Sequence, residues 1–151
     1  MPVKFQPDGY RSVTPYLICK NAAAAIEFYK QAFGAVGTVA MNGPDGRIMH
    51  AEIKIGDSVV MLADESPAIR ALSPQTVGGT PVTLLLYVPD VDFTFARAVE
   101  LGAAAERAVA TQFYGDRTGG ILDPFGHRWY LATHVEDVSP EEMKSRMQAA
   151  Q

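Results

Sequence analysis

A chain of 151 residues has the length of one ordinary domain and buries about 68–70% of its unfolded surface on folding, enough for a core without covalent staples. Its one cysteine, Cys19, excludes an intramolecular disulfide, and a net charge of −4 argues against a surface that tracks nucleic-acid phosphates. No apolar run of about 18 residues is available for a membrane span, and no secretion signal opens the chain, so the expectation is a soluble cytoplasmic protein that binds neither nucleic acid nor membrane.

After a polar start, Val13 to Cys19 is a strand candidate, and Asn21 is placed to cap a helix from Ala22 to Phe33 that Gly34 closes in a left-handed turn. Strand material from Val36 to Met41 leads into Asn42-Gly43-Pro44-Asp45-Gly46, a dense turn signal, and on to a strand from Ile48 to Ile55, which makes a hairpin. Gly56-Asp57 turns the chain into Ser58 to Ala63. Residues 65–79 carry Pro, Gly, Ser and Thr without apolar periodicity and read as a linker. Pro81 to Val88 is apolar enough for a strand buried on both faces, Asp90 or Asp92 can cap a helix from Phe93 to Leu101, and Gly102 ends it. Strands near Glu106–Gln112 and Gly119–Leu122 follow, then the turn Asp123-Pro124-Phe125-Gly126 and a last strand from His127 to Thr133. Ser139-Pro140-Glu141-Glu142 is a capping box with proline at the first helical position, so a C-terminal helix is expected over 139–148.

The second half repeats the first about 69 residues later: Phe33-Gly34-Ala35 is answered by Leu101-Gly102-Ala103, and Met61-Leu62-Ala63 by Tyr130-Leu131-Ala132. A period this long with two copies is a duplicated half-domain and not a solenoid, whose repeats run about 20–50 residues and recur three times or more. The modules span about 10–64 and about 80–135, each a strand, a helix and three strands, in an α+β chain.

Asp123-Pro124-Phe125-Gly126-His127-Arg128-Trp129-Tyr130-Leu131 is similar to the turn and last strand of the vicinal oxygen chelate superfamily, also called the glyoxalase/bleomycin-resistance/dioxygenase group. The helix around Phe28-Tyr29 with its closing Gly34 resembles the same family's first helix, and His50-Ala51-Glu52-Ile53, Phe113-Tyr114-Gly115-Asp116-Arg117 and His134-Val135-Glu136-Asp137 resemble its PhnB-like branch. The resemblance implies two βαβββ modules forming a cupped mixed sheet, formed within one chain or between exchanged halves of a homodimer. It also places the family's usual metal ligands at Thr14, Met61, Thr83 and Tyr130. A threonine hydroxyl is a weak ligand, a thioether a soft one, and a phenol binds metal only as phenolate against a free pKa near 10, so no metal and no cofactor is expected.

Strand alternation assigns the remaining chemistry. Met49, Ala51, Ile53 and Ile55 are expected under a helix, leaving His50, Glu52 and Lys54 on the opposite face. Tyr16, Met61, Thr83 and Tyr130 would make an aromatic, thioether-lined wall suited to a small ligand. His50 and Glu52 are either a base with its orienter, two ligands of a displaced metal site, or solvated polar residues of the strand. Arg117, with Tyr114 three residues earlier, either clamps an anionic ligand in a forked contact or pairs with Asp116 or Asp123 to brace a loop. His127 and His134 read as strand-end capping or pairing residues, Cys19 as a buried inert thiol and Trp129 as core. The expected function is sequestration of an aromatic or anionic compound, as in bleomycin-resistance proteins. The alternative is a glyoxalase-like lyase or isomerase, or a dioxygenase, with a relocated site at His50 and Glu52.

Overall fold

The computed structural model describes residues 2–150, which divide into two units, one ending at Thr80 and the other beginning at Pro81. The strands form two four-stranded mixed sheets, one in each unit. The first unit holds β1 (Tyr16–Cys19), α1 (Ala22–Phe33), β2 (Val36–Asn42), β3 (Ile48–Ile55) and β4 (Ser58–Asp64), with sheet order β1-β4-β3-β2. The linker region is more ordered than its composition suggests, with a 3₁₀ turn at Pro67–Ile69 and a short helix α2 (Pro74–Val77) capped by the Ser73 hydroxyl. The second unit holds β5 (Thr83–Tyr87), α3 (Val91–Glu100), β6 (Ala104–Thr111), β7 (Asp116–Leu122), β8 (Arg128–His134) and α4 (Pro140–Ala149), with order β5-β8-β7-β6. Among the described residues, no helix is long and apolar enough to cross a membrane.

The duplication holds to the residue in the parallel strand pairs. In the parallel pair β1–β4, Tyr16 faces Met61, and 69 positions on, Leu85 faces Tyr130 in β5–β8. The last residue of β4 and its counterpart in β8 also do the same job. Asp64 accepts from Ala22 N, the first residue of α1, at 2.8 Å, and the Thr133 hydroxyl accepts from Val91 N, the first residue of α3, at 2.9 Å. Each helix is thereby tied at its start, where backbone N–H groups lack intrahelical partners, to the strand beside its own entry strand. Asp64 reaches further than threonine can, and its second oxygen also accepts from Ile48 N at 2.8 Å.

Local signals explain the helix limits. The Asn21 side chain accepts from Ala24 N, and Gly34 follows α1 at φ 69°, its N–H returning to the Lys30 carbonyl. A side chain other than glycine is strained in that left-handed conformation. Gly34→Ala should therefore lower stability by about 1 kcal/mol, read as a shift in the urea midpoint at unchanged slope.

Alternation is obeyed in β3 from Ala51 onward: Ala51, Ile53 and Ile55 are buried on the α1 side, and Ile53 and Leu62 have no exposed surface. Met49 departs from expectation and is 66% exposed. The cause is a register shift in which Met41 faces His50 but Asn42 faces Ile48. A bulge of this kind adds a residue and reverses parity, so Ile48 takes the buried place and Met49 turns out toward the hairpin glycine, Gly43.

β5 departs from the expectation of burial on both faces, since Leu85 and Tyr87 are more than half exposed on the side away from α3 and Leu84 and Leu86 are only half-buried. β7 begins three residues before the expected Gly119, which places Asp116 and Arg117 inside the strand on opposite faces.

Candidate functional site

The first unit's sheet has one face covered by α1 and another that carries polar chemistry. On the latter, β1, β4 and β3 present Tyr16, Met61 and Glu52 in one row, because Met61 is the register partner of both neighbours. His50 lies two residues before Glu52 on the same face, and its Nε2 is 2.7 Å from Glu52 Oε2. The Tyr16 hydroxyl crosses β4 to stand 2.7 Å from His50 Nδ1, with the two ring centroids 5.4 Å apart. From the segment before β1, the Tyr10 hydroxyl donates to Glu52 Oε1. The result is one continuous chain, Tyr10–Glu52–His50–Tyr16.

The hydrogen bonds from Tyr10 and then His50 hold the Glu52 carboxyl below its ordinary value, against burial, which pushes it up. The bond to Glu52 pushes the Tyr10 hydroxyl up; burial, followed by the charge of Glu52, does the same to Tyr16. Both tyrosines are therefore neutral donors beside an ionised carboxylate at neutral pH. With Glu52 as acceptor, His50 carries its proton on Nε2 and accepts from Tyr16 at Nδ1, a tautomer assigned from the network. A hydroxyl on an imidazole whose other nitrogen is oriented by a buried carboxylate has the connectivity of a proton relay. Glu52 is 8% exposed, so it is not a solvated strand residue.

Beside Glu52 opens a cavity of about 530 Å³ lined by Phe5, Tyr10, Arg11, Thr14, Glu52 and Met61, among others. The residues that resemblance places at ligand positions do not suit a catalytic divalent ion here. Thr14 and Met61 offer a hydroxyl and a thioether, and both nitrogens of His50 and both oxygens of Glu52 already have partners. Among the described residues, no group of three or more His, Cys, Asp or Glu side chains is arranged to hold a metal.

The other sequence candidates lie in the second unit. Thr83 and Tyr130 share the face of their sheet turned from α3, by strand parity, and the Arg107 guanidinium lies 5.2 Å from the Tyr130 ring centroid. Tyr114 sits in the β6–β7 turn, edge-on to Phe113 at 5.3 Å. Arg117 does not reach an open face. It forks onto Asp92 of α3 at 2.8 and 2.9 Å, with Thr111 as a second partner, so its acidic partner is neither Asp116 nor Asp123. A signal for this was available, since Asp116 and Thr118 alternate with Arg117.

Sequence reasoning missed Tyr10 altogether. It also missed a second polar cluster in which buried Asp116 accepts from Tyr87 at 2.7 Å and from His134 Nδ1 at 2.8 Å, while His134 Nε2 stands 2.7 Å from Asp137. Asp116 and then Asp137 push the His134 imidazole up, and burial of Asp116 is outweighed by its two donors, leaving that carboxyl below its ordinary value. Cys19 and Trp129 are buried as expected.

The profile of the Glyoxalase/Bleomycin resistance protein/Dioxygenase superfamily matches residues 11–131. The chain belongs to this superfamily. It is 42% identical over 139 residues to the uncharacterized protein Rv0887c of Mycobacterium tuberculosis, covering 90% of this chain and 82% of that one. Among solved structures, the At5g48480 gene product of Arabidopsis thaliana is similar at TM-score 0.66 and 26% identity, over 82% of this chain and 98% of that chain. TioX from Micromonospora sp. ML1 is similar at TM-score 0.64 and 21% identity, over 85% and 100% respectively, which shows a shared fold. Within the superfamily, this chain combines the duplicated βαβββ scaffold with a hydrogen-bonded Tyr–Glu–His–Tyr chain on the first sheet.

Proposed function

We propose that this superfamily member is a metal-free small-molecule-binding protein of the bleomycin-resistance type that sequesters a compact aromatic compound against the open face of its first sheet. The observation that carries the reading is the cavity beside Glu52, where Met61 and aromatic side chains meet one ionised carboxylate. An anionic ligand is disfavoured beside Glu52, which would repel it, even with Arg11 among the lining residues, and the sequence candidate for clamping an anion, Arg117, is engaged by Asp92 in the second unit. The donor chemistry of Thr14 and Met61 supports the absence of the family's metal. The same proposal places the protein in the PhnB-like branch, on the motifs around His50, Tyr114 and His134, and takes it to be a cytoplasmic homodimer, tested by its mass in solution.

A second reading has its own support. The Tyr16–His50–Glu52 relay favours a metal-independent acid–base enzyme, a lyase or isomerase, in which Tyr16 and His50 move a proton and Glu52 orients the imidazole. Turnover that survives chelation and disappears in His50→Ala would select it over sequestration.

Thermal unfolding with Ni²⁺, Zn²⁺, Mn²⁺ or Fe²⁺, run in parallel with aromatic and anionic compounds, tests the main reading. An aromatic ligand at one hundred times its dissociation constant should add about 2.7 kcal/mol of stability, with no metal effect. A shift with metals alone would overturn the metal-free proposal.

A further inference from the structure

Between Pro2 and Ser12 the chain has no regular secondary structure and lies along the cavity, contributing Phe5, Tyr10 and Arg11 to its lining. Several of its hydrogen bonds are internal: Lys4 to Asp8, Gln6 to the Tyr10 carbonyl, and Tyr10 N to the Pro7 carbonyl. Among the described residues, its ties to the rest of the unit are the Tyr10–Glu52 hydrogen bond and an ion pair between Arg11 and Asp57 at 3.9 Å, both of whose side chains are largely exposed. An exposed pair at that distance holds little. One phenol on one carboxylate is thus the main fastening of the segment.

The position of that phenol is informative. Glu52, which lines the cavity, has its Oε2 committed to His50, an element of the sheet itself, whereas its Oε1 accepts from a side chain of an irregular segment. An oxygen of a buried carboxylate needs a donor, and Tyr10 supplies it from a residue that lines the cavity.

We infer that Tyr10 is a built-in stand-in for the ligand. The cavity recognises a neutral aromatic compound with a ring hydroxyl, which donates to Glu52 Oε1 in place of Tyr10, and the segment 2–12, which keeps its internal hydrogen bonds and stays as the cavity's wall, must only turn the Tyr10 ring aside for it to bind. This inference rests on the pocket reading above and deepens it by naming the ligand class. The exchange conserves the hydrogen bond count at Glu52, so selection falls on the hydroxyl and the ring. Anions are refused by Glu52, and ethers of the same shape are refused because they leave Oε1 without a donor.

The test uses 4-methylphenol, with methoxybenzene as the ring without a donor and benzoate as the anion, titrated by calorimetry into the whole protein and into Tyr10→Phe. That variant keeps the ring and removes the competing hydroxyl. If Tyr10 occupies Glu52 for nine-tenths of the time, 4-methylphenol should bind Tyr10→Phe roughly tenfold more tightly, since apparent affinity is reduced by the fraction of competent protein. Methoxybenzene and benzoate should bind neither form measurably.

In the parent protein, 4-methylphenol should also move the Tyr10 ring resonances toward those of a free tyrosine, which requires no variant to fold. Equal binding of 4-methylphenol and methoxybenzene, unchanged by Tyr10→Phe, would overturn the stand-in while leaving the pocket reading in place. Binding of no aromatic probe to either form would overturn both.

Discussion

Asp123→Ala should be the most damaging single substitution outside the apolar core. Asp123 is 3% exposed, and one oxygen accepts from Phe125 N at 2.9 Å and His127 N at 3.0 Å, while the other accepts from Trp129 Nε1 at 2.9 Å. It therefore builds the turn into β8 and fixes the one tryptophan of the chain in the second unit's core. Hydrogen bonds to a charged group contribute about 1.5–3 kcal/mol each, and removing the acceptor leaves the buried indole N–H without this partner, so a loss of about 3 kcal/mol is expected. At this chain length that lowers the midpoint of thermal unfolding by roughly 10 °C. Asp123→Asn retains an acceptor for the two turn amides and should lose about half as much. Calorimetric scans of the two variants beside the parent check both values, and a loss under 1 kcal/mol for the alanine form would show that the turn is held by something else.

Glu52→Gln should have the largest effect on binding. Glu52 as a carboxylate accepts from Tyr10 on one oxygen and from His50 on the other. A glutamine offers one acceptor and one donor group, so it sets an N–H against one of those partners and breaks the chain at its centre. An aromatic donor that relies on the same oxygen should bind ten- to a hundredfold more weakly, the equivalent of one hydrogen bond to a charged group.

The pH dependence has a definite sign. Because the folded value of Glu52 lies below its ordinary 4.5, its contribution to stability is fully present above that value and is lost as pH falls through the folded one. Glu65 behaves alike: donors from Ser73 and Thr76 hold it at about 2, so its contribution fades between about 4.5 and 2. Urea midpoints measured from pH 7 to pH 3 should fall less steeply for Glu52→Gln than for the parent. An identical slope would show that the carboxylate is not stabilised by folding.

The order of strands and helices was legible because each boundary carries a local cause: Asn21, Gly34, Asp90 and Ser139 act within a few residues of where they stand. Strand faces were legible along β3 wherever parity was uninterrupted, and failed at Met49, where a bulge depends on how β2 meets β3, and in β5, where an apolar run does not say whether a second layer covers it. Of the candidate site, His50 and Glu52 were visible because they share a strand face. Tyr10 was not, since it lies 42 residues from Glu52 in a stretch with no periodicity to aim it. Arg117 and Asp92 are 25 residues apart on different elements, and their pairing follows from where α3 packs on β7.

The duplicated scaffold supplies its own reference experiment. The register places Glu52 opposite Met61 and Gly120 opposite Tyr130, and Met61 and Tyr130 are counterparts, so at this one position the second sheet has glycine where the first has its acid, its own buried acid being Asp116 four residues earlier in β7. A side chain at Gly120 would crowd the Tyr130 ring at 3.3 Å, which keeps that position small. In a spectrum that resolves both sheets, a ligand response that the scaffold alone produces will be seen twice, and one that needs an acid at this register position will be seen once. Each molecule thus carries, at equal concentration and in the same tube, the blank against which its own site can be measured.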